Sequence, residues 1–164
     1  MKKILLVMAV LFVVAGSLAM WGSKFATGFV HEQLAAQKIT FPDKASLQED
    51  NPALVKYADQ KVDNGEKAKA YSDFIAGHLK NVADGKTYSE VSGAYQQDHT
   101  NTTLAGQRQT LFMGETLRGL LLNAWGWYLV GMIAMYAALA MYVAAAGSIA
   151  LAVMTPTAKK RSKK

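Results

Sequence analysis

GLLLNAWGWYLVGMIAMYAALAMYVAAAGSIALAVMTPTA, residues 119–158, carries no charged side chain. A helix needs about 20 predominantly apolar residues to cross the hydrocarbon core of a bilayer, so this run qualifies as a span. As one helix it would measure roughly 60 Å at 1.5 Å per residue, about twice the core thickness. Two tight spans would need a turn at the middle. The centre, MIAMYAALAMYVAAAG, offers no Pro, Asn or charge to build one. The run therefore reads as one long helix, with Trp125, Trp127 and Tyr128 as an outer aromatic belt and its end near Thr155-Pro156 at the inner face.

A second uncharged stretch, residues 4–23, lies within MKKILLVMAVLFVVAGSLAMWGSK. It resembles a secretory signal peptide, with a basic start, an apolar centre and Ser17-Leu18-Ala19 as a cleavage site. The uncharged run nevertheless continues past that site, and Trp21 sits where an interfacial anchor belongs. Phe25, Phe29, Val30 and Leu34 then keep near-helical spacing. The expectation is an uncleaved anchor that continues as one helix to about Gln37.

Charge orients these two spans. The net charge is +6, yet all 12 acidic residues fall between Glu32 and Glu115, and the 11 basic residues from Lys24 to Arg118 leave that central region near neutrality, at −1. The excess resides in Lys2, Lys3 and the tail KKRSKK. Lys and Arg are enriched on the cytoplasmic flanks of membrane helices. Both termini are thus expected in the cytoplasm, the middle outside it, and the protein in the plasma membrane as a multi-pass chain. Lys159, Lys160 and Arg161 would touch anionic headgroups, at about 1 kcal/mol per basic residue. The basic balance is a topology signal, and nucleic acid is not an expected partner. The chain has no cysteine, which excludes disulfides, thiolate metal sites and thiol catalysis.

Within the second span Ala137, Ala140, Ala144 and Gly147 recur every three or four residues. A stripe of small side chains lets another helix approach closely, and the first span is the obvious candidate. Ala is also a good helix former in its own right.

The region between the spans reads as helical. Asn51-Pro52 has the form of an N-cap followed by Pro at the first helical position, opening a short helix with Leu54, Ala58 and Val62. A stronger helix follows from Glu66 to about Asp84, with Tyr71, Phe74, Ile75, His78 and Val82 on one face. Residues 92–103, SGAYQQDHTNTT, lack a period and read as a loop, after which Thr103 caps the last helix. Glu115 and Arg118 have the spacing of an intrahelical pair.

Gly85-Lys86-Thr87 matches the end of a nucleotide-binding phosphate loop, G-x-x-x-x-G-K-[ST]. The first glycine of that motif is replaced by Lys80, and a helix precedes it where a strand is required. Gly85 fits a left-handed helix stop, and Thr87 with Glu90 fits a capping box. His31, His78 and His99 are the remaining candidates for catalysis or metal. No H-x-x-x-H or H-x-E spacing fixes two ligands locally, and a His78 on an apolar face reads as a buried, hydrogen-bonded imidazole. No cofactor is expected.

Three stretches, EQLAAQKITFPDKA (32–45), AYSDFIAGHLKNVADGKTYSEV (70–91) and QRQTLFMGETLRGLLLNAWGW (107–127), resemble a family of small actinobacterial membrane proteins. The resemblance implies two membrane helices around a short outer domain. Some members are labelled aromatic ring-opening dioxygenases. Such chemistry uses non-haem iron held by histidines and a carboxylate, an arrangement that this sequence does not present.

The sequence thus implies an all-α membrane protein with two transmembrane helices and a small helical extracytoplasmic domain. Residues 1–3 form the cytoplasmic start, 4–23 the first span, and 24–118 the outer domain. Residues 119–156 form a long helix containing the second span, and 157–164 the basic tail. The expected function is non-enzymatic, an accessory or packing subunit of a cell-envelope membrane assembly, with lipids and other subunits or further copies as partners. The alternative is an extracytoplasmic binding or sensing module anchored by two helices.

Overall fold

The computed structural model describes residues 1–155. Among them the secondary structure is helical: α1 (Lys2–Gln37), α2 (Lys44–Asp50), a 3₁₀ turn (Pro52–Tyr57), α3 (Gly65–Val82), α4 (Tyr88–Gln97) and α5 (Thr102–Met154). Two helices, α1 and α5, are long and apolar enough to cross a membrane. The tail residues Lys159, Lys160 and Arg161 lie outside the described residues.

The described residues divide into two compact units, one of residues 1–26 with 130–155 and one of Thr27–Leu129. The charge-free run begins at Gly119, but residues 119–129 belong to the second unit, where Leu121, Ala124 and Tyr128 join its core. Hydrophobicity along α5 marks what is apolar. It does not distinguish a side chain buried by the chain's own helices from one facing outward.

The second unit is built from short, individually capped helices. Lys38, in a left-handed conformation, ends α1 (φ 54°). The chain then passes Ile39–Phe41, whose backbone pairs with Gln60–Val62 through Phe41 N–H to Gln60 O and Val62 N–H to Ile39 O, both 2.9 Å. The Asp43 carboxylate accepts from Ser46 N–H at 2.9 Å and starts α2. That helix carries Leu47 into the core, where it is fully buried with Phe41 and Val62. Burying an aliphatic or aromatic side chain of this size contributes roughly 1.5–3 kcal/mol, so these three anchor the unit. The Phe41 ring stacks on Tyr57 (5.3 Å between centroids) and meets Tyr71 edge-on (5.1 Å).

The expected helix from Asn51 to Val62 is replaced by a single 3₁₀ turn. The Asn51 side chain makes no capping bond there, and its amide lies instead beside Gly77 of α3. A Pro at the first helical position favours entry, and the segment ends where Ala58 turns extended (ψ 136°) and Asp59 takes a positive φ of 58°. Asn64 caps the next helix, accepting from Lys67 N–H at 3.0 Å.

Helix α3 buries Gly65, Ala68, Ser72 and Leu79, with Tyr71, Phe74 and Ile75 half-buried at the flanks of the core. His78, expected inside, is exposed. The buried strip of α3 runs through Ala68, Ser72 and Leu79, and His78 falls outside it.

At the end of α3 Asp84 and Gly85 both take positive φ (51° and 78°), and Gly85 N–H returns to Lys80 O at 2.8 Å. The Thr87 hydroxyl accepts from Glu90 N–H while the Glu90 carboxylate accepts from Thr87 N–H, a complete capping box. Gly85-Lys86-Thr87 is therefore a helix stop followed by a helix start. Helix α4 extends to Gln97, so the expected loop at 92–103 is confined to residues 98–101. Polar sequence without a clear period can be helical when a strong cap nucleates it. Asn101, rather than Thr103, caps α5, accepting from Leu104 N–H at 3.0 Å.

Candidate functional surfaces

In the first unit α1 and α5 pack through small side chains spaced seven residues apart. On α1 these are Ala9, Gly16 and Ser23, all buried. On α5 they are Ala138 (0% exposed), Ala145 (3%) and Ala152 (1%). A seven-residue repeat keeps a seam facing its partner when two helices coil left-handedly. The helices approach closely at Gly16, where an added Cβ would lie 3.1 Å from the Tyr142 ring and 3.3 Å from the Ala138 carbonyl oxygen. Beside it the Ser17 and Tyr142 hydroxyls are 3.3 Å apart. Ser148 donates to Ala144 O at 2.8 Å, satisfying its hydroxyl within its own helix.

The seam thus runs one residue away from the expected stripe. Ala137 and Ala144 flank it, half-buried, whereas Ala140 and Gly147 are exposed. These two sit on a second stripe with Ile133, Tyr136 and Val143, also exposed. The repeat in α5 does not reveal which stripe α1 uses. The signal was the spacing of Ala9, Gly16 and Ser23 in α1.

The outward face of α1 is apolar along Ile4, Val7, Leu11, Val14, Leu18 and Trp21, all exposed. Trp21 stacks on Phe25 at 5.9 Å between centroids. Of the expected aromatic belt on α5, Trp127 is 54% exposed, while Trp125 and Tyr128 are half-buried. The Lys69 ammonium lies 5.9 Å from the Trp125 ring. Tyr128 packs against the start of α3 so closely that a Cβ at Gly65 would lie 2.2 Å from its Cβ. Tyr128 is therefore a structural contact of the second unit as well as an aromatic near the apolar run.

The second unit also holds a groove of about 420 Å³ between the α1 and α5 segments, with Phe29, Gln33 and Gln37 on one wall and Leu120, Asn123 and Trp127 on the other. Its lining contains no charged side chain.

Charged groups in this unit act on structure. Arg118 bonds Glu115 at 2.7 Å and donates from Nε to Ser72 O at 3.2 Å, tying α5 to α3. Gln107 donates to Val82 O at 3.0 Å at the end of α3. The carboxyls of Asp43 and Glu90 are held below their ordinary values by the backbone N–H bonds they accept from Ser46 and Thr87. The Thr100 hydroxyl and backbone N–H do the same for Asp98. Burial pushes the Tyr71 hydroxyl up.

The histidines occupy three separate settings. His31 Nδ1 lies 2.8 Å from Asp63 O, His78 borders a small cleft with Asn51 and Phe74, and His99 meets Tyr95 edge-on at 5.1 Å. Among the described residues no group of three His, Asp or Glu is placed to hold a metal ion. No protein-family profile, curated protein or solved structure matches this chain.

Proposed function

We propose that this chain is a non-enzymatic integral membrane protein, an accessory or packing subunit of a cell-envelope assembly. In this arrangement α1 and α5 cross the plasma membrane, both termini are cytoplasmic, and the second unit lies outside. The observation that carries the proposal is the second small-residue stripe. Ala140 and Gly147 sit outward on α5, seven residues apart among exposed apolar side chains, while α1 occupies the Ala138–Ala145–Ala152 seam. In lipid, helices associate where small residues permit close van der Waals packing. An outward stripe of that kind fits a helix from another subunit or another copy.

The test is purification in mild detergent followed by native mass spectrometry of the intact assembly. Ala140→Leu together with Gly147→Leu should shift the population to the isolated chain without lowering its melting temperature. An assembly that survives both substitutions, or a wild-type chain that is monomeric with no stoichiometric partner, would refute the subunit reading.

A further inference from the structure

We propose that the groove between the α1 and α5 segments of the second unit binds an acyl chain of a membrane phospholipid, an inference that rests on the membrane reading above. Three features specify this occupant. The first is charge: no Asp, Glu, Lys or Arg lines the groove. A phosphate, a carboxylate or a charged peptide would be desolvated there without a counter-charge, whereas a hydrocarbon chain loses nothing.

The second feature is the order of side chains along the walls. Phe29 and Trp127 stand at the end nearer the apolar runs, and Gln33 and Gln37 follow on α1, four residues apart and so on one helical face. Hydrocarbon would lie between the aromatics, and the carboxamides of Gln33, Gln37 and Asn123 are neutral donors suited to an ester carbonyl. The third feature is access and size. Both walls belong to helices of membrane-spanning length. Phe29, Leu120 and Trp127 expose apolar surface at the rim, Leu120 at 65% exposure, beside the exposed carboxamides of Gln33, Gln37 and Asn123. The volume of about 420 Å³ falls within the range of roughly 300–1,000 Å³ typical of small-molecule sites.

The experiment reconstitutes the full chain in phosphatidylcholine vesicles doped with a phospholipid bearing a photoactivatable diazirine on one acyl chain. After illumination, crosslinked residues are mapped by peptide mass spectrometry. The expected result is labelling at residues 29–39 and 117–127, Phe29 and Trp127 included, in addition to residues 4–23 and 130–154. Leu120→Gln, at an exposed position, should reduce groove labelling at least several-fold and leave the other segments unchanged. Labelling confined to 4–23 and 130–154 would overturn the groove while sustaining the membrane reading. Absence of labelling at every segment would overturn both. Groove labelling that persists undiminished in Leu120→Gln would show bulk-lipid contact and also overturn the site.

Discussion

Gly65→Ala is the sharpest perturbation that this architecture offers. Gly65 is the first residue of α3, and an added Cβ would lie 2.2 Å from the Tyr128 Cβ on α5 and 2.4 and 2.7 Å from two of its ring atoms. The Tyr128 Cβ is fixed by the α5 backbone, so no rotamer change of the ring removes that contact and α3 must shift. Overpacking of this kind costs about 1–3 kcal/mol, and the rigidity of the obstacle argues for the upper half of that range. Replacing Gly by Ala inside a helix would by itself stabilise by up to about 1 kcal/mol, which offsets only part of the cost. Two companion substitutions calibrate the argument. At Gly93, inside α4, an added Cβ meets nothing within 4 Å, so Gly93→Ala should stabilise by about 0.5–1 kcal/mol. At Gly114 the Cβ would meet the Cδ atoms of Leu79 at 2.5 and 2.7 Å, the movable end of a side chain, and the cost should be intermediate. For a chain of this size each kcal/mol shifts the melting temperature by about 2–4 °C. Thermal unfolding in detergent, followed by circular dichroism at 222 nm, should rank Gly93→Ala above wild type, then Gly114→Ala, then Gly65→Ala several degrees lower. A Gly65→Ala protein that melts at or above wild type would show that α3 does not rest on Tyr128, and the packing described for the second unit would be wrong.

Thr87→Ala removes one half of the capping box and should lower stability by about 1 kcal/mol, measured by urea titration of the helical signal. Because the folded-state values of Asp43, Glu90 and Asp98 are depressed, their stabilisation is fully present above about pH 5 and is lost as the pH falls through the carboxylate range. Melting temperature should drop on acidification below about pH 4, less steeply in Glu90→Gln; an unchanged slope in that variant would remove Glu90 from the account. With no native cysteine, a single cysteine at Thr100 should react with an impermeant maleimide in intact cells, and cysteines at residue 2 or 163 only after lysis; the opposite pattern would invert the topology. Ala138→Leu and Ala145→Leu should destabilise the isolated chain by about 1–3 kcal/mol, whereas Ile133→Ala should leave its melting temperature within a degree or two; equal tolerance at all three positions would refute the seam.

What could be read from the sequence depended on whether one residue type, in its own local context, was sufficient. The capping box at Thr87 and Glu90 and the helix stop at Gly85 are local chemistry, and both stand as expected. The continuation of α1 to Gln37 followed from apolar spacing without a breaker. His78 was misplaced because amphipathic spacing defines a face about 100° wide or more, and only packing decides which edge of it is covered. The helix from Asn51 differs for a similar reason: its sequence supplies an N-cap candidate, but the Asn51 side chain makes no cap bond and lies beside Gly77, 26 positions away.

The small-residue seam shows this limit most clearly. Ala or Gly occupies so many positions of α5 between Ala134 and Ala152 that several stripes satisfy a three-or-four-residue spacing, and α5 alone cannot distinguish among them. Helix α1 carries fewer small side chains among its bulky Val, Leu and Met, and of those it has, Ala9, Gly16 and Ser23 are buried at a seven-residue spacing while Ala15 is exposed and Ala19 and Gly22 are only half-buried. Close approach requires space on both helices at the same height, so the helix with fewer small residues fixes the contact and the Ala-rich helix accommodates it. Gly16 against Ala138 and Tyr142 is where that choice is made. Once α1 takes Ala138, Ala145 and Ala152, the 100° advance per residue turns Ala140 and Gly147 away from the seam. The surplus of small residues on α5 is then available to a second helix, and the Ala-rich composition acquires a use beyond helix propensity.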